Sequence, residues 1–414
     1  MTSALAVWIE GLLAGELSTQ AGVWRFRYAV TWLAAVESFP LSPHLPLREE
    51  RFEDSSDERP VQWFFDNLLP EGGIRQALAR FAGLSAQDSF GLLARFGEES
   101  AGALTLLPTG EPPPSEGIYQ PLSIEELRAL IAELPEVPLI AAHGRAKMSL
   151  AGAQHKLGVH RAGDAFLLPA GAASSQIIKP DNARPERYPF CPANEHFCMS
   201  LAREAGLPVP ETSLLHIPEP IYVVGRFDRL MEGERVRRIH QIDLCQLLNK
   251  WPGYKYEAEG GATFAEAFAA LDQTRQPAVS RDRVLRWLVF NYLVGNSDAH
   301  AKNVAFLVTR AGITLAPFYD LICVKAYGDD AMAMSVAAET RYGWITAKEW
   351  DELAATLQLR KALLRRIRDE LSRAVPQAAR RVAERAEFSA PERAFLTKVL
   401  AVIDEHAGFM REGL

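Results

Sequence analysis

Asp298, Asn303 and Asp320 carry oxygen donors at a spacing that suits chemistry on phosphate groups. Asp298 and Asn303 lie in Gly295-Asn296-Ser297-Asp298-Ala299-His300-Ala301-Lys302-Asn303, directly after an apolar stretch. Asp320 follows two strand-like runs, residues 304–308 and 313–316, joined by the turn Arg310-Ala311-Gly312. Phosphoryl transfer needs a carboxylate that orients the acceptor hydroxyl and takes its proton. It also needs oxygen ligands for the magnesium ions that bridge the phosphates. Asp298 suits the first task, and Asn303 with Asp320 the second. Each residue alone fits a capped turn or a solvated loop better. The spacing of all three reverses that balance.

Such a site also needs a phosphate cradle and an anchoring cation. Ser149-Leu150-Ala151-Gly152-Ala153-Gln154-His155-Lys156 offers small residues ahead of a strand, so backbone N–H groups could approach phosphate oxygens. It matches neither of the standard glycine-rich phosphate loops. Lys179, on Ile177-Ile178-Lys179, is placed to reach phosphates, and Glu195 at the next helix could pair with it. The competing readings are an edge-strand solubility lysine and a glutamate favoured by a helix dipole.

The elements that must position these residues follow from periodicity and turn chemistry. Residues 5–8 and 23–28 alternate as strands, and 60–69 and 74–82 have helical character. This gives an N-terminal α+β unit over residues 1–110. Pro112, Pro113 and Pro114 between Gly110 and Gly117 mark a linker, which with a bridging helix at 124–133 fills residues 111–144. Residues 145–225 form a β-rich unit, with strands at 156–160, 165–168, 176–179 and 221–224. A helix over 194–205 is expected there, with Asn194 as its N-cap and Gly206 and Pro208 as its stop. Residues 226–414 are mostly helical. One helix spans 281–294, with Val284, Leu285, Leu288 and Tyr292 facing inward. An amphipathic pair spans 360–385, with Arg365, Arg366, Arg368 and Arg373 facing solvent.

Composition narrows the class. With 48% hydrophobic residues over 414 positions, the chain can bury a large core in two or three packed units. Its 45 basic and 52 acidic residues leave a net charge of −7, so no global field favours nucleic acid. Cys191, Cys198, Cys245 and Cys323 never approach a C-x-x-C spacing, which argues against zinc or disulfides and for a reducing compartment. The first residues lack the basic start of a secretory signal, and no run has the length of a membrane span. A cytoplasmic location is expected.

Several of these segments together resemble the HipA family of toxin kinases. They are Leu41-Ser42-Pro43-His44-Leu45-Pro46-Leu47, Phe64-Phe65-Asp66-Asn67-Leu68-Leu69-Pro70-Glu71-Gly72, and Ser149 through Lys156. Asn194-Glu195-His196-Phe197-Cys198, Arg226-Phe227-Asp228-Arg229, Asp298 through Asn303, and Phe318-Tyr319-Asp320 complete them. The resemblance implies an α+β, two-lobed protein-kinase-like fold with an extra N-terminal subdomain. It implies an ATP- and magnesium-dependent serine/threonine protein kinase that arrests growth by phosphorylating translation machinery, typically an aminoacyl-tRNA synthetase. It also implies a small DNA-binding, HipB-like antitoxin, through which the toxin reaches operator DNA. Carried over by position, Asp298 is the catalytic base, Asn303 and Asp320 hold magnesium, and Lys179 holds nucleotide phosphates. Ala151, Gly152, Ala153 and Gln154 line the phosphate loop. The backbone at Arg226 and Phe227 forms the adenine hinge, with His300 and Tyr319 near the nucleotide. Ser149 corresponds to an autophosphorylated serine, whose modification would add about two negative charges beside the loop. Gly225 and His155 stand where the family often has acidic residues. Two other readings stay open, a binding protein acting as corepressor through its antitoxin and a kinase for small molecules or lipids.

Overall fold

The computed structural model describes residues 3–113, 117–134, 138–139, 148–152, 154–182, 184–217, 219–233 and 235–412. A β-rich N-terminal region leads into a mostly helical C-terminal region, an α+β architecture. The first sheet is antiparallel, in the order Phe52–Glu53, Val23–Tyr28, Leu12–Gln20, Ser3–Ile9, Leu104–Pro108. Ser3–Ile9 buries Leu5, Val7 and Ile9 on one face, as its alternation requires. Glu10 and Gly11 turn the chain with φ of 47° and 82°, the left-handed pair of a tight hairpin. The strand Leu12–Gln20 was not legible in the sequence, because Gly15, Glu16 and Ser18 interrupt its apolar pattern. Gly15 is required there: a Cβ would stand 2.6 Å from the Phe26 ring and 2.5 Å from the Arg27 carbonyl oxygen. Helices Pro60–Asp66, Gly72–Ala82 and Ser89–Phe96 complete this unit.

A six-stranded antiparallel sheet follows, in the order Thr212–His216, Pro220–Gly225, Gln176–Pro180, Leu157–Ala162, Ala165–Ala170, Ile118–Leu122. The last strand comes from the stretch expected as linker, where it pairs with Ala165–Ala170. Gln176–Pro180 is central, flanked on both sides, so Lys179 is no edge-strand lysine. The next helix is Cys191–Glu204, three residues longer at its start than expected. Phe190, at φ 59°, caps it, and Asn194 lies fully buried inside the helix. Asn194 donates to the Cys323 carbonyl at 3.0 Å and accepts from the Cys323 N–H at 3.1 Å. A polar residue with two tertiary partners looks in sequence like a cap, which is why the boundary was misplaced.

The C-terminal region is built on helix Pro277–Val294, which begins at its proline and is buried all round after Arg286. Gly295, at φ 69°, ends it and points the chain into the loop that carries Asp298. A small sheet, His240–Asp243, Ala305–Thr309 and Gly312–Leu315, supports that loop. Residues 360–385 hold one helix, Lys361–Ala383, rather than a pair, and it packs against helix Ala390–Glu412. Leu364, Ile367 and Leu371 face inward as expected, whereas Arg368 does not face solvent. It lies four residues from Leu364 and three from Leu371, hence on the same stripe. Its guanidinium sits 5.2 Å from the Trp350 ring centroid and donates to the Met410 carbonyl. Among the described residues no helix is long and apolar enough to cross a membrane.

Candidate active site

Lys179 stands where the central sheet faces the cleft. Its Nζ donates to Glu195 Oε1 at 2.7 Å and to Asp320 Oδ1 at 2.6 Å. Three elements distant in sequence therefore meet at one ammonium group. Burial works against the charge on Lys179, but Asp320 and Glu195 outweigh it and raise its pKa. One cation shared by two carboxylates cannot serve both equally. Burial pushes Glu195 up to about 7, against the pull of Lys179. Asp320 is held well below the usual carboxylate range, its burial being overcome by Lys179 and Lys156. Asp320 takes φ 58°, a left-handed conformation that is uncommon outside glycine but that Asp is among the residues to adopt.

Across the cleft, the loop after Gly295 presents Asp298 with its side chain 44% exposed. Asn303 donates its amide N–H to the Asp298 carbonyl at 2.7 Å, which leaves its amide oxygen as the donor available to a cation. His300 is buried, and burial lowers its pKa, so it is neutral at pH 7. Its Nδ1 has no hydrogen-bond partner among the described residues. Tyr319 donates to the Lys302 carbonyl and packs at 5.4 Å against Phe227. Asp298, His300, Asn303, Tyr319, Asp320, Lys179 and Glu195 line one cavity with Ala151, Gly152, Gln154, Arg226 and Phe227.

The small-residue loop is held from outside. Gly152 takes φ 114°, and its carbonyl accepts from the Glu71 N–H at 3.2 Å. Lys156 donates to the Ala151 carbonyl at 2.6 Å. Ala153 falls outside the described residues. Of Ser149 only the backbone is described, pairing in parallel with Ser100. In the segment expected as the adenine hinge, the Arg226 N–H is already spent on the Ser175 carbonyl at 3.0 Å. The Arg226 side chain turns away into a buried ion cluster with Glu99 at 3.0 Å and Asp228 at 2.7 Å, which Arg229 and Arg238 join. Any contact from Arg226 to a nucleotide is thus left to its carbonyl.

Sequence reasoning gave no role to three lysines of this cavity wall or to the tyrosine that reaches Asp298 from beside it. Lys156 has its pKa pushed down to about 8, by burial first and by Lys179 second. Lys255 pairs with Glu71 at 2.7 Å, and Lys302 is fixed by Asp243 at 2.8 Å and Asn67 Oδ1 at 2.7 Å. The phenol of Tyr256 donates to Asp298 Oδ1. Only the segment Phe64 through Gly72, singled out for its resemblance, hinted that the N-terminal unit reaches the cleft.

A lysine clamped between carboxylates, facing a second acidic loop across a cleft, is equipment of the kinase class. Residues 148–379 match the model of the HipA-like C-terminal domain, and residues 5–107 match that of the HipA N-terminal domain. The chain is 36% identical over 392 residues to the kinase candidate Y4mE of Sinorhizobium fredii, covering 92% of each. It is 30% identical over 437 positions to the serine/threonine-protein kinase toxin HipA of Shewanella oneidensis, covering 99% of this chain and 98% of that one. A solved complex of the Shewanella oneidensis MR-1 toxin–antitoxin system, with HipA, HipB and operator DNA, superposes with TM-score 0.85 at 29% identity, over 99% and 98% of the two chains. The chain belongs to the HipA family of serine/threonine kinase toxins of type II toxin–antitoxin systems.

Proposed function

We propose that this chain is an ATP- and magnesium-dependent protein serine/threonine kinase, the toxin of a toxin–antitoxin pair acting in the cytoplasm. The observation that carries the reading is the meeting of Lys179, Glu195 and Asp320 opposite Asp298 and Asn303 in one cavity. In this reading residues 145–225, joined by the strand Ile118–Leu122, are the small lobe and 226–414 the large lobe of a kinase-like fold. Residues 1–110 are an added subdomain, and 111–144 connect the two.

The residues present fit the nucleotide and its metal. Asn303 and Asp320 offer hard oxygen donors, as magnesium prefers, and His300 offers an unpartnered buried nitrogen. Among the described residues no cluster of three or more His, Cys, Asp or Glu could hold a metal. A magnesium ion held by Asn303 and Asp320 would complete its shell with phosphate and water, its usual habit. When bound, Mg-ATP supplies the transferable phosphoryl group and the cation that offsets its developing charge. Lys179 would turn from Asp320 toward the phosphates while keeping Glu195. The Gly152 turn would offer its backbone, and Asp298 would orient the acceptor hydroxyl and receive its proton. Ser149 is the proposed site of self-modification. The antitoxin partner would be a small HipB-like DNA-binding protein that brings the toxin to operator DNA. A component of translation, such as an aminoacyl-tRNA synthetase, is the proposed acceptor.

Intact and peptide mass spectrometry after incubation with Mg-ATP tests the reading, with Asp298→Asn alongside. Phosphate on Ser149 in the wild type only is expected. Equal phosphate in both proteins would overturn Asp298 as base, and phosphate at another residue would overturn Ser149.

A further inference from the structure

The carboxylate proposed as base is held weakly by its own loop. Asn296 and Asn303 fix the backbone of Asp298, not its half-exposed side chain. The carboxylate is met instead by Tyr256, whose hydroxyl donates to Oδ1. Tyr256 lies between two short turns, Pro252–Tyr254 and Glu257–Glu259, in a segment folded on itself. Its carbonyl accepts from Glu259 at 3.0 Å and from Gly261 at 2.9 Å. Its ring stands edge-on to His300 at 5.0 Å. The preceding residue, Lys255, is anchored at both ends. Its carbonyl accepts from the Ala301 N–H at 3.2 Å, and its ammonium pairs with Glu71 at 2.7 Å. Glu71 belongs to the N-terminal unit, and its own N–H holds the Gly152 carbonyl.

We infer that Tyr256 is a positioning residue for the Asp298 carboxylate, held in place by Glu71 of the N-terminal unit through Lys255. The inference rests on the reading of Asp298 as base. A carboxylate with Oδ1 engaged by a fixed phenol, and with His300 Nε2 3.8 Å from the same oxygen, has its rotation restrained, and its other oxygen stays open to an acceptor. A tyrosine suits this task, since few rotatable bonds separate its hydroxyl from the backbone. The N-terminal unit thereby contributes to phosphoryl transfer without touching the substrate.

The test uses the full chain with Mg-ATP and follows release of the γ-phosphate to the chain itself or to water. Tyr256→Phe keeps the ring and removes the donor. It is expected to lower kcat about tenfold to a hundredfold, the cost of a misplaced reacting group, with KM for ATP and Tm unchanged. Glu71→Gln is expected to lower kcat in the same direction. Because the two act in series, the double variant should fall no further than Tyr256→Phe alone. Lys255→Met breaks the same link if Glu71→Gln lowers Tm. An unchanged kcat in Tyr256→Phe, or a change confined to KM, would overturn the positioning role. Losses that multiply in the double variant would overturn the link to Glu71. Wild-type turnover lost in Asp298→Asn shows separately that the kinase reading stands. Crystal structures of the wild type and Glu71→Gln read the positioning without turnover: Tyr256 should leave Asp298 in the variant, and its staying would refute the link.

Discussion

Replacing Lys179 by methionine removes the cation that Glu195 and Asp320 share. Removing one partner of a buried ion pair costs about 3–5 kcal/mol when the other charge is left bare. Here the charge need not stay bare. Glu195 already has its pKa pushed up to about 7 by burial, and without Lys179 it rises further and keeps its proton at neutral pH. Asp320, with its side chain 28% exposed, can take up water. The expected loss at pH 7 therefore falls to the low end of that range or just below it, about 2–3 kcal/mol. For a chain of this length unfolding as one unit, that is roughly 2–3 °C in Tm. The pH dependence is more diagnostic. Folded Glu195 binds a proton that the unfolded chain, with a pKa of about 4.3, has released, so stability falls as pH climbs toward the folded value and then levels off. The wild type levels off near pH 7, while the variant keeps falling. The gap between them should widen by about 1 kcal/mol from pH 7 to pH 8, the full slope of about 1.4 kcal/mol less what the wild type still loses there. Thermal unfolding at several pH values, with and without Mg-ATP, measures both consequences. Binding of Mg-ATP should raise Tm in the wild type only. A variant with an equal deficit at pH 6 and pH 8, and an undiminished shift with Mg-ATP, would refute the shared-cation argument.

Two further substitutions probe the surroundings of the cleft. Glu99→Gln leaves Arg226 and Arg229 with Asp228 as their carboxylate and takes the carboxylate from Arg238, at an expected cost of about 3–5 kcal/mol at pH 7, measured by denaturant titration. Burial raises the Glu99 pKa, but the three arginines outweigh it and hold the carboxyl well below its usual range. Its stabilisation is thus full above the unfolded pKa of about 4.3 and fades as pH falls further, so the deficit should shrink in strong acid. Gly152→Ala puts a Cβ 2.5 Å from Lys156 Nζ at φ 114°, with strain of about 1–3 kcal/mol and displacement of Lys156. The Tm rise with Mg-ATP should be lost; an undiminished rise would mean that the loop does not take part in nucleotide binding.

What the sequence made legible is what local chemistry dictates. The hairpin at Arg310-Ala311 and the stop at Gly206 follow from short-range preferences, and the strands around Lys179 from their apolar runs. The spacing from Asp298 to Asn303 and on to Asp320 was equally visible, because one loop and one hairpin contain it. Positions set by distant partners were not legible. Asn194 passes for a cap until Cys323 is seen beside it. Arg368 passes for a solvent-facing charge until Trp350 covers it. Tyr256 and Lys255 sit in a segment with no motif, and their place in the cleft depends on Asp298 and Glu71, each far away in sequence.

The same long-range ties bear on what a unit means in this chain. A composition change near residue 110 suggests that the N-terminal unit could be detached. The ion pairs argue otherwise. Glu99 lies on the N-terminal side, yet it neutralises Arg226, Arg229 and Arg238 on the other. Glu71 and Asn67 likewise hold Lys255 and Lys302. Cutting the chain there would leave several cations facing groups that had been buried with them, a heavier burden than any single substitution considered above. The boundary is one of composition, not of energy, and the cleft is held together across it.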